Sequence, residues 1–295
     1  MGMTQEQSTE LRPIDAPHYR YWQALYLSFF SGALYVDVGK RWKGLSMGYF
    51  LLLSLMASFP FSLRLMMDFN HYFAQQLFMP IEKLPDIYIQ NGQVVFDKPM
   101  PFLVKDSSGG VIAIVDTTGK VTGMMKEYPK LSILITKNKL LYRVPSQPEF
   151  FFSTHKNAND GTVVEQVFPD NMNQIFNGAE WLNSSGIENI KLLTMITIYP
   201  TMALVFFSIY MVFFLAFGLM AQLMARIIFK QSLTYLQSFR LLIVSSTPHF
   251  VVLLATLTAN WVFTGYGTLL LAILAIYFSY SVLSLKRESN KLVRT

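Results

Sequence analysis

Ser245-Ser246-Thr247-Pro248-His249 is the stretch where groups able to move a proton or hold a polar ligand fall inside a long apolar run. His249 is the only one of the four histidines so placed. An ionisable ring at membrane depth is costly and marks a functional site by default. With hydroxyls beside it, this ring could relay a proton or coordinate a lipid head group. The simpler reading is structural. Pro248 lacks an N–H and frees a backbone carbonyl, which Ser245, Ser246 and His249 would re-satisfy, or these side chains would bond to a neighbouring helix. His249, Pro248, Ser245 and Ser246 thus form the candidate intramembrane polar site. No second acid or base lies well inside an apolar run, which argues against a proton-coupled transporter.

A second cluster is Asp116-Thr117-Thr118-Gly119. It resembles the phosphorylated-aspartate motif of ion-pumping ATPases, where a magnesium ion and a lysine offset the phosphate charge. Here Thr117 replaces that lysine, and no nucleotide-binding domain is present. The segment reads instead as the turn after a strand, with Asp116 accepting backbone hydrogen bonds and Gly119 at positive φ. The chain has no cysteine, so it has no thiol nucleophile, zinc–thiolate cage or disulfide. His18, His71 and His155 lack ligand spacing, and there is no glycine-rich phosphate loop or serine elbow. We therefore expect no catalytic residue, no cofactor, no metal and no enzymatic activity.

The elements that must carry these residues follow from composition. Hydrophobic residues make up 52% of the 295 and charged ones 14%, well below the ~25% charged of an average soluble domain. The pattern predicts an α-helical polytopic membrane protein with four transmembrane helices at 44–67, 191–225, 241–263 and 264–285. Residues 1–20 read as a disordered tail and not as a signal peptide. Residues 21–36 are apolar but short, with Trp22, Leu25, Tyr26, Phe29, Ala33 and Leu34 at helical spacing. They read as an amphipathic helix in the membrane interface, followed by a basic collar to residue 43, or as a short re-entrant or bundle-packed helix. Asn260 and Trp261 close the third span as a cap and an interfacial anchor. Residues 226–240 form an interfacial connector, and 286–295 a basic tail.

Residues 68–190 differ in kind. Asn91-Gly92 between two β-prone runs is a strong hairpin signal. Runs at 102–105 and 111–115, and at 131–136 and 140–144, flank further turns. About six strands in meandering order predict an inserted α+β domain, mainly antiparallel, either a single small sheet or one curled into a sandwich. A loop is expected over 145–161, and a helix over 171–184 on the stripe Met172, Ile175, Phe176, Ala179, Leu182.

Charge orients the chain. Residues 68–190 carry ten basic and thirteen acidic side chains; the remainder carries fourteen basic and five acidic. Apart from Arg64 and Lys191, those fourteen lie in the N-terminal segment, the connector or the C-terminal tail. Basic residues flanking spans mark the cytoplasmic side. Both termini are therefore expected in the cytoplasm, and residues 68–190 outside it. Lys40, Arg41, Lys43, Arg226, Lys230 and Arg240 are candidate lipid-facing basic residues on the cytoplasmic side. Attraction to anionic lipid is the simpler account of them than binding of nucleic acid.

Several motifs carry a likeness. The run 29–38 followed by Trp42-Lys43-Gly44 resembles the start of an uncharacterised bacterial membrane family, domain of unknown function 1189. So do Leu84-Pro85-Asp86-Ile87 with Asn91-Gly92, Val115-Asp116-Thr117-Thr118-Gly119, and Leu233-Thr234-Tyr235 through Arg240 to Thr247-Pro248. That family is similar in its membrane part to the Yip family, whose eukaryotic members take part in vesicle trafficking. The likeness implies a fold and no catalytic residues, and fold analogy is not function. The expectation is a bacterial inner-membrane protein. Its outer domain would bind a protein partner or ligand, and its bundle would contact membrane lipids and anchor or relay that binding. The alternative is a transporter of a lipid or small solute past His249.

Overall fold

The computed structural model describes residues 16–124, 127–144 and 162–294. Most of the expected tail (1–15) and the expected loop at 145–161 lie outside the described residues. The chain forms two compact units, Met1–Ser62 with Tyr199–Thr295, and Leu63–Ile198. Four helical stretches are long and apolar enough to cross a membrane: Met47–Glu82, Ile187–Ile227, Tyr235–Ala259 and Tyr266–Asn290. The architecture is the expected one, a multi-pass membrane protein with an inserted sheet-containing domain.

The first unit begins with α1 (Tyr21–Leu27) and α2 (Gly32–Lys40), where one helix was expected. Ser31 separates them: its side chain accepts from Leu34 N and starts a new helix. The two halves differ in exposure. α1 presents Trp22 and Tyr26 outward, whereas α2 buries Leu34, Tyr35 and Val38. α2 is therefore packed into the bundle, not laid on a surface.

After α3 (Met47–Tyr72) the unit resumes in α6 (Ile187–Ile227), then α7 (Tyr235–Ser245), α8 (Thr247–Ala259) and α9 (Tyr266–Arg294). α7 takes in the last six residues of the expected connector. The cause is a capping box: the Thr234 side chain accepts from Gln237 N, and the Gln237 side chain accepts from Thr234 N. α7 and α8 form one broken span and the centre of the bundle. Of its most apolar window 61% is buried, against 22% in α6. Asn260 caps α8 in the left-handed conformation at φ 53°.

α2 packs closely against α9. A Cβ on Gly32 would meet Ser284 Oγ at 3.0 Å, and one on Gly39 would meet Leu285 at 2.8 Å. The glycines lie about 10 Å apart along their helix, while their partners are neighbours on α9. The absence of a side chain on each glycine lets the helices approach this closely without displacing Ser284 or Leu285.

In the second unit a π-helical turn (Phe73–Phe78) and α4 (Met79–Glu82) lead, among the described residues, to eight strands and α5 (Gly178–Ser184). β1 (Ile87–Gln90), β2 (Gln93–Val95) and β8 (Gln174–Phe176) form one antiparallel sheet in the order β2-β1-β8. Asn91 and Gly92 turn the β1–β2 hairpin at φ 49° and 69°, both left-handed, as the sequence predicted. β3 (Phe102–Lys105), β4 (Val111–Asp116), β5 (Ile133–Thr136), β6 (Lys139–Val144) and β7 (Thr162–Val167) form the second sheet in that order.

Two expectations fail here. β4 and β5 pair in parallel, so the order is not a simple meander. Both strands are buried on both faces. Ile114 and Leu134 pack with Val121, Leu131 and Leu141 on one side. Ala113, Val115, Ile133 and Ile135 share the other side with Ile87, Ile89 and Val94 of the first sheet. The connection from β4 contributes Val121 and Leu131 to the first of these clusters, and so lets the next strand pair in parallel. The expected helix over 171–184 is strand in its first half, because Ile175 pairs across from Tyr88. Only α5 is helical, with Asn177 as its N-cap.

Candidate functional site

The break between α7 and α8 satisfies its own backbone. Ser245 Oγ donates to Leu242 O (3.1 Å), Ser246 Oγ to Ile243 O (2.7 Å) and Thr247 Oγ1 to Val244 O (2.9 Å). Val244 O is the carbonyl that Pro248 cannot serve. Thr247 serves it; His249 does not, and takes the other course open to it, bonding to neighbouring helices.

His249 instead joins other helices. Its Nδ1 lies 2.8 Å from Leu270 O on α9. A carbonyl only accepts, so Nδ1 carries the proton and Nε2 of the neutral ring is an acceptor. Tyr210 of α6 donates its hydroxyl to that Nε2 at 3.1 Å. Two residues earlier, Tyr49 of α3 lies 2.5 Å from Thr247 Oγ1. Because that oxygen already donates to Val244, Tyr49 is the donor. All four spans thus meet at residues 247–249.

Rings fill the space around this point. Phe50 packs on Phe207, Phe214 and Phe250 at 5.6, 5.2 and 5.5 Å between centroids, and Tyr210 on Phe250 at 5.0 Å. His249 is 4% exposed and both its nitrogens are engaged. No lone pair remains for a metal or a substrate. Chemically, the arrangement is a cross-bolt.

The six basic candidates separate. Lys40, Arg41, Lys43, Arg226 and Lys230 are exposed. Arg240 is buried and donates from Nη1 to the Trp42 carbonyl, so it is turned into the bundle instead of standing exposed with the other five. It falls inside the bundle because α7 begins at Tyr235 and turns this position toward the end of α2.

Asp37 is a site that the sequence reading missed. It is 1% exposed and accepts from the backbone of His18 (3.0 Å to each oxygen) and Tyr19 (3.1 Å). It also accepts from Arg41 Nη1 and Trp42 Nε1, each at 3.2 Å. An acid four residues before an arginine, within an otherwise basic collar, was the available signal.

In the second unit Asp116 is fully buried. Its carboxylate accepts from Thr118 N (2.9 Å), Thr118 Oγ1 (2.5 Å) and Val121 N (2.6 Å). Burial pushes its pKa up, but these hydrogen bonds from Thr118 and Val121 outweigh it and hold the group below its ordinary value. It is a structural turn with Gly119 at φ 81°, not an exposed nucleophile. Asp106 is also held below its ordinary value, by hydrogen bonds from Lys130 and Ser108.

The outward face of the first sheet carries a row set by register. Tyr88 stands opposite Val95 on one side and Ile175 on the other. These residues are 42%, 49% and 63% exposed, and the three strands carry no charged residue. Beside them Tyr88, Gln90, Asn91, Asn173, Gln174 and Ile175 line a groove of about 580 Å³.

Among the described residues, no group of three or more histidines or carboxylates could hold a metal ion. No curated protein and no solved structure matches the chain. The family model described as "Protein of unknown function (DUF1189)" matches residues 22–282, and the chain belongs to that family.

Proposed function

We propose that this is a non-enzymatic protein of the bacterial inner membrane. Its sheet domain faces away from the cytoplasm and binds a protein partner, and its helix bundle holds that domain in place. The observation that carries this reading is the Val95–Tyr88–Ile175 row, an uncharged and exposed stripe across three paired strands. Exposed apolar patches of this kind mark interaction sites. The segregation of basic residues supports both termini being cytoplasmic.

The alternative, passage of a lipid or solute past His249, has less support. Both ring nitrogens are spent within the bundle and aromatic side chains occupy its surroundings.

A photo-crosslinking residue placed at Tyr88 or Ile175 in living cells tests the reading. One discrete crosslinked protein is expected from these sites and not from exposed positions in the Asp106 turn. Equal labelling at both sets would sink it. Reporter fusions at residues 130 and 235 should report opposite sides of the membrane; the same side for both would overturn the orientation.

A further inference from the structure

Arg240 is a buried cation with no ion pair of its own; the buried carboxylate at this end of the bundle, Asp37, is paired with Arg41. It lies about 8 Å into α7, counted from the start of the helix at 1.5 Å per residue. It is 8% exposed. Among the described residues the ion pairs join Arg41 to Asp37, Arg64 to Asp68, Lys130 to Asp106 and Lys139 to Glu165, and none reaches it. Its hydrogen bond runs from Nη1 to the Trp42 carbonyl. Nε is sealed from solvent with no partner, and Nη2 is neither sealed nor bonded.

A guanidinium offers five N–H donors in one plane. Most of those on Arg240 are unspent. The carbonyl end of α2 offsets part of the charge, since a helix C-terminus carries about half a negative charge. Gln237 Nε2 competes for the same end by donating to Gly39 O at 3.3 Å. Half a charge and one bond do not balance a full cation withdrawn from water.

Position narrows what can complete the balance. A hydrocarbon core of about 30 Å lies within a bilayer of about 40–45 Å, so each head-group layer is several ångströms deep. A residue about 8 Å into a spanning helix sits where head groups meet acyl chains.

We propose that Arg240 binds the phosphate of a phospholipid head group from the leaflet at this end, through Nη2 and the second N–H of Nη1. This does not rest on the partner-binding reading of the sheet domain. Arginine suits the task because its planar fork donates two parallel bonds to phosphate oxygens, where lysine offers a point charge.

The test is native mass spectrometry of the full-length protein in detergent. It is titrated with phosphatidylglycerol, with diacylglycerol of the same acyl chains, and with inorganic phosphate. The wild-type protein should retain one phosphatidylglycerol at least about tenfold more tightly than diacylglycerol, a difference typical of one charged hydrogen-bonded contact. Arg240→Gln should abolish that preference, Arg240→Lys should weaken it, and Lys43→Gln should leave it intact. If inorganic phosphate competes for the site at equal concentration, the phosphate chemistry stands and the lipid as its source is overturned. Equal retention of phosphatidylglycerol and diacylglycerol by the wild type overturns the proposal, even if the Arg240 variants do not fold. So does loss of preference in Lys43→Gln matching that in Arg240→Gln, which would reduce the effect to diffuse charge.

Discussion

The Tyr210 hydroxyl and His249 Nε2 lie 3.1 Å apart, on helices 39 residues distant in sequence. Together with the Leu270 carbonyl on the other side of the ring, this fixes a single neutral tautomer in the middle of the bundle. Removing either partner leaves a buried polar atom unpaired, which costs about 1–3 kcal/mol. His249→Ala should destabilise the detergent-solubilised protein by about that amount, measured as a fall in thermal midpoint. His249→Gln should recover much of the loss, because an amide both donates and accepts. Tyr210→Phe should cost about 1 kcal/mol. If Gln fails to rescue while folding is intact, the ring does more than join helices.

Asp37 accepts from four donors through five contacts, the His18 N–H reaching both carboxylate oxygens. Asp37→Asn replaces one acceptor oxygen with a donor that faces other donors. We expect a loss of about 1–3 kcal/mol for the unpaired groups, felt first by the segment just before α1. Faster tryptic cleavage after Arg20, which is exposed, reads this directly. Unchanged cleavage would show that the segment is held by other contacts, such as Tyr21 on Trp42 at 5.0 Å.

Asp106 and Asp116 both have pKa values below those of the unfolded chain. The unfolded state therefore binds protons more readily than the folded one. The stabilisation from these groups is present above the ordinary carboxylate value and is lost as pH falls below it. Thermal unfolding of the sheet domain, followed by circular dichroism from about pH 6 to about pH 2.5, should show falling stability below about pH 4. Asp116→Asn should be less stable at neutral pH and show a flatter acid limb. An acid limb identical to wild type would mean that Asp116 does not contribute to it.

Gly39 presses against Leu285. Alanine gains up to about 1 kcal/mol of helix propensity there, and the leucine end can turn aside. Gly39→Ala should therefore change stability little. Gly39→Leu overpacks the contact and should cost about 1–3 kcal/mol. Leu285→Ala in the same chain should return part of it. Additive losses in the double variant would argue against contact.

Long apolar runs declared the four spans, and Asn91-Gly92 declared its hairpin, because both signals are local. The parallel pairing of β4 and β5 was also signalled. Val111-Ile112-Ala113-Ile114-Val115 and Ile133-Leu134-Ile135 are continuously apolar instead of alternating, as strands buried on both faces must be. The start of α7 was written in Thr234 and Gln237 as a capping box. What stayed hidden needed distance in sequence to close. Nothing near His249 announces Tyr210 or Leu270, and nothing near Arg240 announces the Trp42 carbonyl. A basic residue next to a span suggests a surface, and only the turn of α7 carries Arg240 inward. The hydroxyl triplet was visible, but which oxygen serves Val244 depends on side-chain reach along a helix that the break itself defines.

The packing of α2 against α9 has a bearing on how the protein is made. The Phe30 carbonyl at the approach to α2 accepts from Tyr280, 250 residues later in the chain. The ribosome adds about 5–20 residues per second, so the first helices emerge about 12 to 50 seconds before their seat exists. Until α7 and then α9 are made, Leu34, Tyr35 and Val38 lack the helices they pack against, and the lipid surface or a chaperone must hold them. A chain that stops short of residue 280 would lack the bond from Tyr280 to Phe30, so closure of the bundle waits for its last helix.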